Sequence, residues 1–124
     1  MSDYIDGFAF PIAKVNIEAY QKIASQVAEI WTEYGALAYF EYLGDDMQLA
    51  GTKSFGDLLE AKEEEQIVFG WVVFPSKEVR DLANEQVPKD PRMSSLVAPL
   101  VESEKLIFDA SRMAYGGFKL LVHS

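Results

Sequence analysis

The sequence has no cysteine and a single histidine, His123. Without thiols there is no disulfide, no thiolate nucleophile and no Cys-ligated zinc or iron–sulfur site. A Ser–His–Asp arrangement would have to use the penultimate residue, and a haem or metal site gains little from it. His123 is read as part of a solvated tail. Basic residues are also scarce: 11 Lys and Arg stand against 20 Asp and Glu, for a formal charge of −9. Such a chain repels phosphate backbones and anionic lipid, so neither nucleic acid nor a membrane is an expected partner. No stretch approaches the roughly twenty apolar residues of a spanning helix. The opening Met1-Ser-Asp-Tyr-Ile-Asp6 is acidic where a secretory signal is basic, and no apolar run follows it. The expected location is the cytoplasm.

What is present is the composition of an ordinary globular domain: 49% hydrophobic and 25% charged residues over 124 positions. Residues 1–124 are read as one domain. Tyr4 to Pro11, rich in aromatic and aliphatic residues, is the first expected strand. Asn16 suits a helix N-cap, with Glu18 in the first turn. Ile17, Tyr20, Ile23, Ala24, Val27, Ile30, Trp31 and Tyr34 then recur at steps of three and four, which predicts an amphipathic helix ending at Gly35. Ala36 to Leu43 is a second strand, and Gly44-Asp-Asp46 breaks it. A short helix is expected over Phe55 to Lys62, after Ser54. Gln66 to Phe74, the most apolar segment, is a central strand. Pro75-Ser76 starts a second long helix with Val79, Leu82, Ala83 and Val87 as its apolar stripe, and Pro88 stops it. Residues 88–111, with three prolines, leave room for a helical turn or two. Arg112 to Val122 is the last strand, with Gly116-Gly117 inside it.

The order strand, helix, strand, strand, helix, strand predicts an α+β, ferredoxin-like βαββαβ fold. Its four-stranded antiparallel sheet is covered by helices on one face. The first strand has a small set (Ile5, Gly7, Ala9) and a large set (Tyr4, Asp6, Phe8, Phe10). The small set, with Val68, Gly70, Val72, Ala114, Gly116, Phe118 and Leu120, is expected under the helices. The large set, with Phe69, Trp71, Val73, Met113 and Tyr115, is expected on the bare face, and Leu37, Tyr39 and Glu41 are grouped with it. A monomer rarely exposes so large an aromatic face. Two-fold association of that face is the expected cover, giving a dimeric α+β barrel with room for a small molecule.

Four stretches carry a resemblance. They are Tyr4-Ile-Asp-Gly-Phe8, Val73-Phe-Pro-Ser-Lys-Glu-Val-Arg-Asp81, Asp90-Pro-Arg-Met93 and Phe108-Asp-Ala-Ser-Arg-Met-Ala-Tyr-Gly-Gly-Phe118. They resemble the YbaA-like family, domain of unknown function family 1428, over nearly the whole chain. The closing block is the most specific, and residues 94–107 depart from the pattern. The resemblance implies the dimeric α+β barrel superfamily, whose wider relatives include cofactor-free oxygenases, haem enzymes and small-molecule sensors. It implies no established activity, and whether the chain is an enzyme stays open.

Among candidate residues, Asp6 stands mid-strand among aromatics. A carboxylate in such surroundings suits a base or a ligand anchor. Its structural alternative is a salt bridge, for example to Lys119, or a hydrogen bond to a tyrosine. Tyr4, Phe8, Phe69, Trp71 and Tyr115 are expected to line the ligand site, with Glu41 as a second, edge-strand carboxylate. Arg92, between Pro91 and Met93, is placed on a loop able to close over the barrel mouth. Arg112 is expected to pair locally with Asp109. Asp57, Glu60, Glu63, Glu64 and Glu65 form an acidic run in which positions 60 and 64 share a helix face. It is read as solvated surface rather than a cation site. Gly116-Gly117 lacks the following Lys-Ser/Thr of a phosphate loop. No metal or cofactor is expected. Two readings result. The first is a homodimeric barrel that binds a small, partly apolar or aromatic molecule, with weak cofactor-free oxygenase or isomerase chemistry as its catalytic extension. The second is a non-catalytic structural or interaction module whose aromatic face is a closed dimer core.

Overall fold

The computed structural model describes residues 3–102 and 106–124. Strand β1 is Tyr4–Ala13, helix α1 Ile17–Glu33, β2 Ala38–Leu43 and the single-turn α2 Phe55–Leu58. Strand β3 follows at Glu65–Phe74, then α3 at Lys77–Gln86, α4 at Pro91–Val101 and β4 at Ala114–Lys119. The sheet is antiparallel throughout, in the order β2-β3-β1-β4, so the ferredoxin-like arrangement expected from the element order is borne out.

Local chemistry explains most boundaries. Ser54 and Ser76 accept hydrogen bonds from the backbone N–H of Asp57 and Val79, three residues on, and so start α2 and α3. Gly35 ends α1 at φ +113°, where a Cβ would lie 2.7 Å from the Val79 side chain, so this turn needs glycine for both backbone and space. Asn16 precedes α1 but caps nothing with its side chain. The 3₁₀ turn Lys14–Asn16 already gives it helical dihedrals, whereas side-chain capping needs an extended residue. The larger departure is α4, eleven residues long in a segment expected to be mostly irregular. Pro91 stands at its first position, where the missing N–H costs nothing, and Pro99 falls in its last turns. Asp90 accepts from the Arg92 N–H and caps it. Residues 103–105 of that segment lie outside the described residues.

The expected assignment of the sheet faces is overturned by the register. Tyr4, Asp6, Phe8 and Phe10 stand opposite Phe74, Val72, Gly70 and Val68 of β3. In β4 they stand beside Lys119, Gly117 and Tyr115. This is the covered face: Phe10, Ile12, Val72 and Phe74 are buried together with Ile30, Ala83 and Val87 from the helical layer. The large residues of β1 therefore fill the core. Glycines on the neighbouring strands make the room. A Cβ on Gly70 would lie 2.6 Å from the Phe8 ring, and one on Gly117 would lie 2.4 Å from Arg80 Nη2 and 2.5 Å from the Tyr4 hydroxyl. Bulk is balanced across the ladder, not strand by strand. Tyr39 and Glu41 of β2, expected on the bare face, lie with Asp6 on the covered one, opposite Val72 and Gly70.

The uncovered face carries Ile5, Gly7 and Ala9 of β1 and Phe69, Trp71 and Val73 of β3. Phe40 and Tyr42 of β2 and Ala114, Gly116 and Phe118 of β4 complete it. The rings on β2 and β3 form one continuous cluster. Trp71 lies parallel to Tyr42 at 5.4 Å and close to Phe40 and Phe69, and Phe69 meets Phe55 of α2. Tyr42 and Phe118 are more than half exposed.

Candidate ligand-binding site

The sequence pattern of α3 determines what lies over Asp6. Its inward side is formed by Val79, Arg80, Ala83, Asn84 and Val87, while Leu82, expected in the stripe, is 53% exposed. Arg80 and Asn84, one helical turn apart, thus point at the sheet from the same side. Arg80 Nε donates to Asp6 Oδ1 at 2.9 Å, and the Tyr115 hydroxyl donates to the same oxygen at 2.8 Å. Arg80 Nη2 and Asn84 Nδ2 each donate to the Tyr115 hydroxyl at 3.2 Å. The Arg80 guanidinium also lies over the Tyr4 ring, 5.0 Å from its centroid, and its Nη1 reaches Asp81. Asp6 is only 4% exposed, so Arg80, not Lys119, is its counter-ion. Burial, then the bond to Asp6, pushes the Tyr115 phenol up.

Asp6, Tyr115 and Asn84 form one wall of a cavity of about 290 Å³ between the sheet and the helices, with Arg80 behind them. Phe8, Phe10, Trp31, Met93 and Phe108 line its middle. Tyr20 and Tyr39 line it too, and both hydroxyls turn to Glu41 on β2, at 2.5 and 2.8 Å. Burial pushes the Glu41 carboxyl up, while the two tyrosine hydrogen bonds pull the other way. Burial and the Glu41 charge push both phenols up, which keeps them as donors.

Of the residues singled out from the sequence, Asp6, Phe8 and Tyr115 meet around this cavity. Tyr4 does not line it but lies against Arg80, the partner of Asp6, and Glu41 connects through the two tyrosines. Phe69 and Trp71 do not join them: they lie on the opposite, uncovered face. Arg92 is not on a loop. It occupies the first turn of α4, where its guanidinium takes Glu33 bidentately and also donates to both oxygens of Asp90. Tyr34 donates to Asp90 as well, and with Arg92 it holds that carboxyl well below the usual range. Together these residues fasten the start of α4 to the end of α1.

Arg112 pairs with Glu65 at 2.6 and 2.9 Å and with the Glu60 carbonyl, not with Asp109, whose carboxylate instead caps the Ser111 N–H. Glu60 and Glu64 share no helix face, because α2 ends at Leu58 and Glu60 has φ +52°. Among the described residues no group of three His, Asp or Glu is placed to hold a metal. No described helix is long and apolar enough to cross a membrane. Arg80, Asn84, Tyr20 and Tyr39 were not singled out from the sequence as site residues. The signal for the first two was an Arg and an Asn four apart, flanking the stripe of α3. Tyr20 was read only as part of an apolar stripe.

Arg112 holds the Glu65 carboxyl down at about 2, from an ordinary 4.5. A depressed carboxylate stabilises the fold above its unfolded value, and that contribution is lost as pH falls toward the folded one. Stability is therefore expected to fall between about pH 4.5 and 2. Arg112→Met should flatten that part of a melting-temperature profile while lowering stability at neutral pH. An unchanged acid limb would contradict the pairing.

The element order, the strand order and the cavity under the helices define a ferredoxin-like α+β domain. The chain belongs to the family described as "Protein of unknown function (DUF1428)", whose family model matches residues 3–110. It is 36% identical over 119 residues to the "Uncharacterized protein YbaA" of Escherichia coli K12 and, equally, to that of Shigella flexneri, covering 96% of this chain and 97% of the relative. Among solved structures it is similar to a nipsnap family protein with unknown function from Agrobacterium tumefaciens. The TM-score is 0.58 at 16% identity, over 98% of this chain and 91% of the other. It is also similar to an uncharacterized NIPSNAP domain protein from Burkholderia xenovorans, with a TM-score of 0.51 at 17% identity, over 98% and 94% of the two chains. At these identities the likeness is one of fold.

Proposed function

We propose that this chain, as a single domain, forms a cytoplasmic homodimer through its uncovered sheet face. In that state it binds a small, partly apolar or aromatic molecule in the cavity between sheet and helices. The observation that carries the ligand reading is the polar set Asp6, Tyr115 and Asn84, held by Arg80, in a cavity otherwise lined mainly by aromatic and apolar side chains. A few convergent polar groups in an apolar hollow are the usual make-up of a small-ligand site, and about 290 Å³ is at the small end of such sites. Asp6 Oδ2 has no hydrogen-bond partner among the described residues, which leaves an acceptor for the ligand. In the catalytic extension, Asp6 takes a proton from the bound molecule through Oδ2, while the second Asn84 N–H holds its oxygen.

The dimer part rests on the aromatic cluster around Trp71. The apolar tail Leu120–Val122, left exposed beyond β4, supports it further. A face of this kind is the usual material of a symmetric interface.

A thermal-shift screen of the full chain with small aromatic acids, phenols and quinones tests the ligand reading. A ligand present at about 100 times its dissociation constant adds about 2.7 kcal/mol. At least one member is expected to raise the melting temperature, and Asp6→Asn to weaken that shift. A flat screen would count against it.

The second reading, a non-catalytic module with a closed dimer core, has an observation of its own. Among the described residues no fully buried side-chain polar atom lacks a partner, and Asp6 Oδ1, Arg80, Tyr115 and Asn84 bond to one another as a structural network would.

A further inference from the structure

Four carboxylates packed against the sheet or helices, Asp6, Glu41, Glu65 and Asp90, differ in one respect. Asp6, Asp90 and Glu65 each have an arginine: Arg80, Arg92 and Arg112. Glu41 has none. Its two oxygens accept one hydroxyl each from Tyr20 and Tyr39, and no basic side chain among the described residues pairs with it. Two hydroxyls occupy about half of a carboxylate's acceptor capacity and supply no compensating charge.

Glu41 lies at a cleft of about 390 Å³ between α1 and the edge strand β2. The cleft has a sequence cause. The residues of α1 that face β2 include Ala24, Ser25 and Ala28, too short to close the gap to the sheet. Its other walls are Ile17, Gln21, Leu43 and Val68, with Tyr20 and Tyr39 at the carboxylate, while Tyr42 at the rim turns its ring to Trp71 on the uncovered face.

We propose that this cleft binds a small organic cation, an ammonium group on an apolar body, with Glu41 as its counter-ion. The ammonium takes the free acceptor positions of the carboxylate as charge-assisted hydrogen bonds. The rings of Tyr20 and Tyr39 stand beside the same charge, and the apolar body fills the space left by the alanines. The net charge of −9 favours cations over anions near the surface. The site opens between α1 and β2, apart from the wall that carries Asp6, and does not rest on the proposed function of that cavity.

The test is a titration of the full chain with 2-phenylethylamine and with its neutral analogue 2-phenylethanol, followed by calorimetry and by backbone NMR shifts. The amine is expected to bind at least about tenfold more tightly than the alcohol. Its shifts should centre on α1 around Ala24 and on β2 around Glu41. Glu41→Gln should remove the preference, bringing the amine to the level of the alcohol. Ala24→Phe leaves Glu41 and both tyrosines in place but fills the cleft, so it should lose both ligands even if Glu41→Gln proves unstable. Asp6→Asn should bind the amine as the wild type does, which separates this site from the Asp6 cavity. Equal affinity for the two probes overturns the proposal. So does a preference that survives Glu41→Gln, or the absence of saturable amine binding at millimolar concentration.

Discussion

Asp6→Ala is expected to destabilise the fold by about 3 kcal/mol or more, the usual cost of breaking a buried ion pair from one side. The carboxylate is 4% exposed and holds both Arg80 Nε and the Tyr115 hydroxyl. Without it, the guanidinium stays between α3 and the sheet with one carboxylate partner, the half-exposed Asp81, and Tyr115 loses its acceptor. The surviving Asp81 contact sets the effect at the lower end of the range. In melting temperature the loss is on the order of 10 °C for a domain of this size. Asp6→Asn keeps an acceptor at the same place and should cost less. The double variant Asp6→Ala with Arg80→Met should be less destabilised than the sum of its single changes, since the orphaned charge is gone. Urea unfolding of the four proteins measures this. Additive losses would mean that the pair contributes little as a pair.

Trp71→Glu is expected to have the largest effect on assembly. Trp71 is the hub of the uncovered face, against Phe40, Tyr42 and Phe69 on the two strands at that edge of the sheet. Central aromatic residues carry most of the energy of an interface, typically 2 kcal/mol or more each on truncation, and a buried unpaired carboxylate adds to the loss. The proposed dimer should weaken by at least about thirtyfold and run as a monomer in light-scattering chromatography at micromolar concentration. The core lies on the other side of the sheet, among Phe10, Val72 and Phe74, so far-ultraviolet circular dichroism should not change. A wild type that is itself monomeric at high concentration would remove the interface.

The two variants separate what was legible in the sequence from what was not. The element order was, because periodicity within each segment is a local property: the stripe of α1 and the apolar run of β3 identify themselves. Sheet order followed from the element order. The faces did not follow, because inward and outward are settled between strands. Phe8 sits inside only because Gly70 lies opposite it, and Tyr4 because Gly117 lies near it. Reading each strand by its own residue sizes reverses the assignment for β1, β2 and β4, while Phe69 and Trp71 of β3 fall on the expected face. Asp6 was recognisable as a carboxylate among aromatics. Its arginine, 74 residues away on α3, was not, since long-range pairing leaves no local pattern. The same applies to Arg92 with Glu33, 59 residues apart, and to Arg112 with Glu65. Helix α4 was missed for another reason: three prolines in a short span read as breaks, although a first-turn proline favours a helix.

Native mass spectrometry of gently purified protein tests the central claim most directly. The account predicts a dimer that carries the extra mass of a small ligand, with the ligand reduced in Asp6→Asn and the dimer lost in Trp71→Glu. A bare monomer at every concentration, with no mass bound to the wild type, would contradict it.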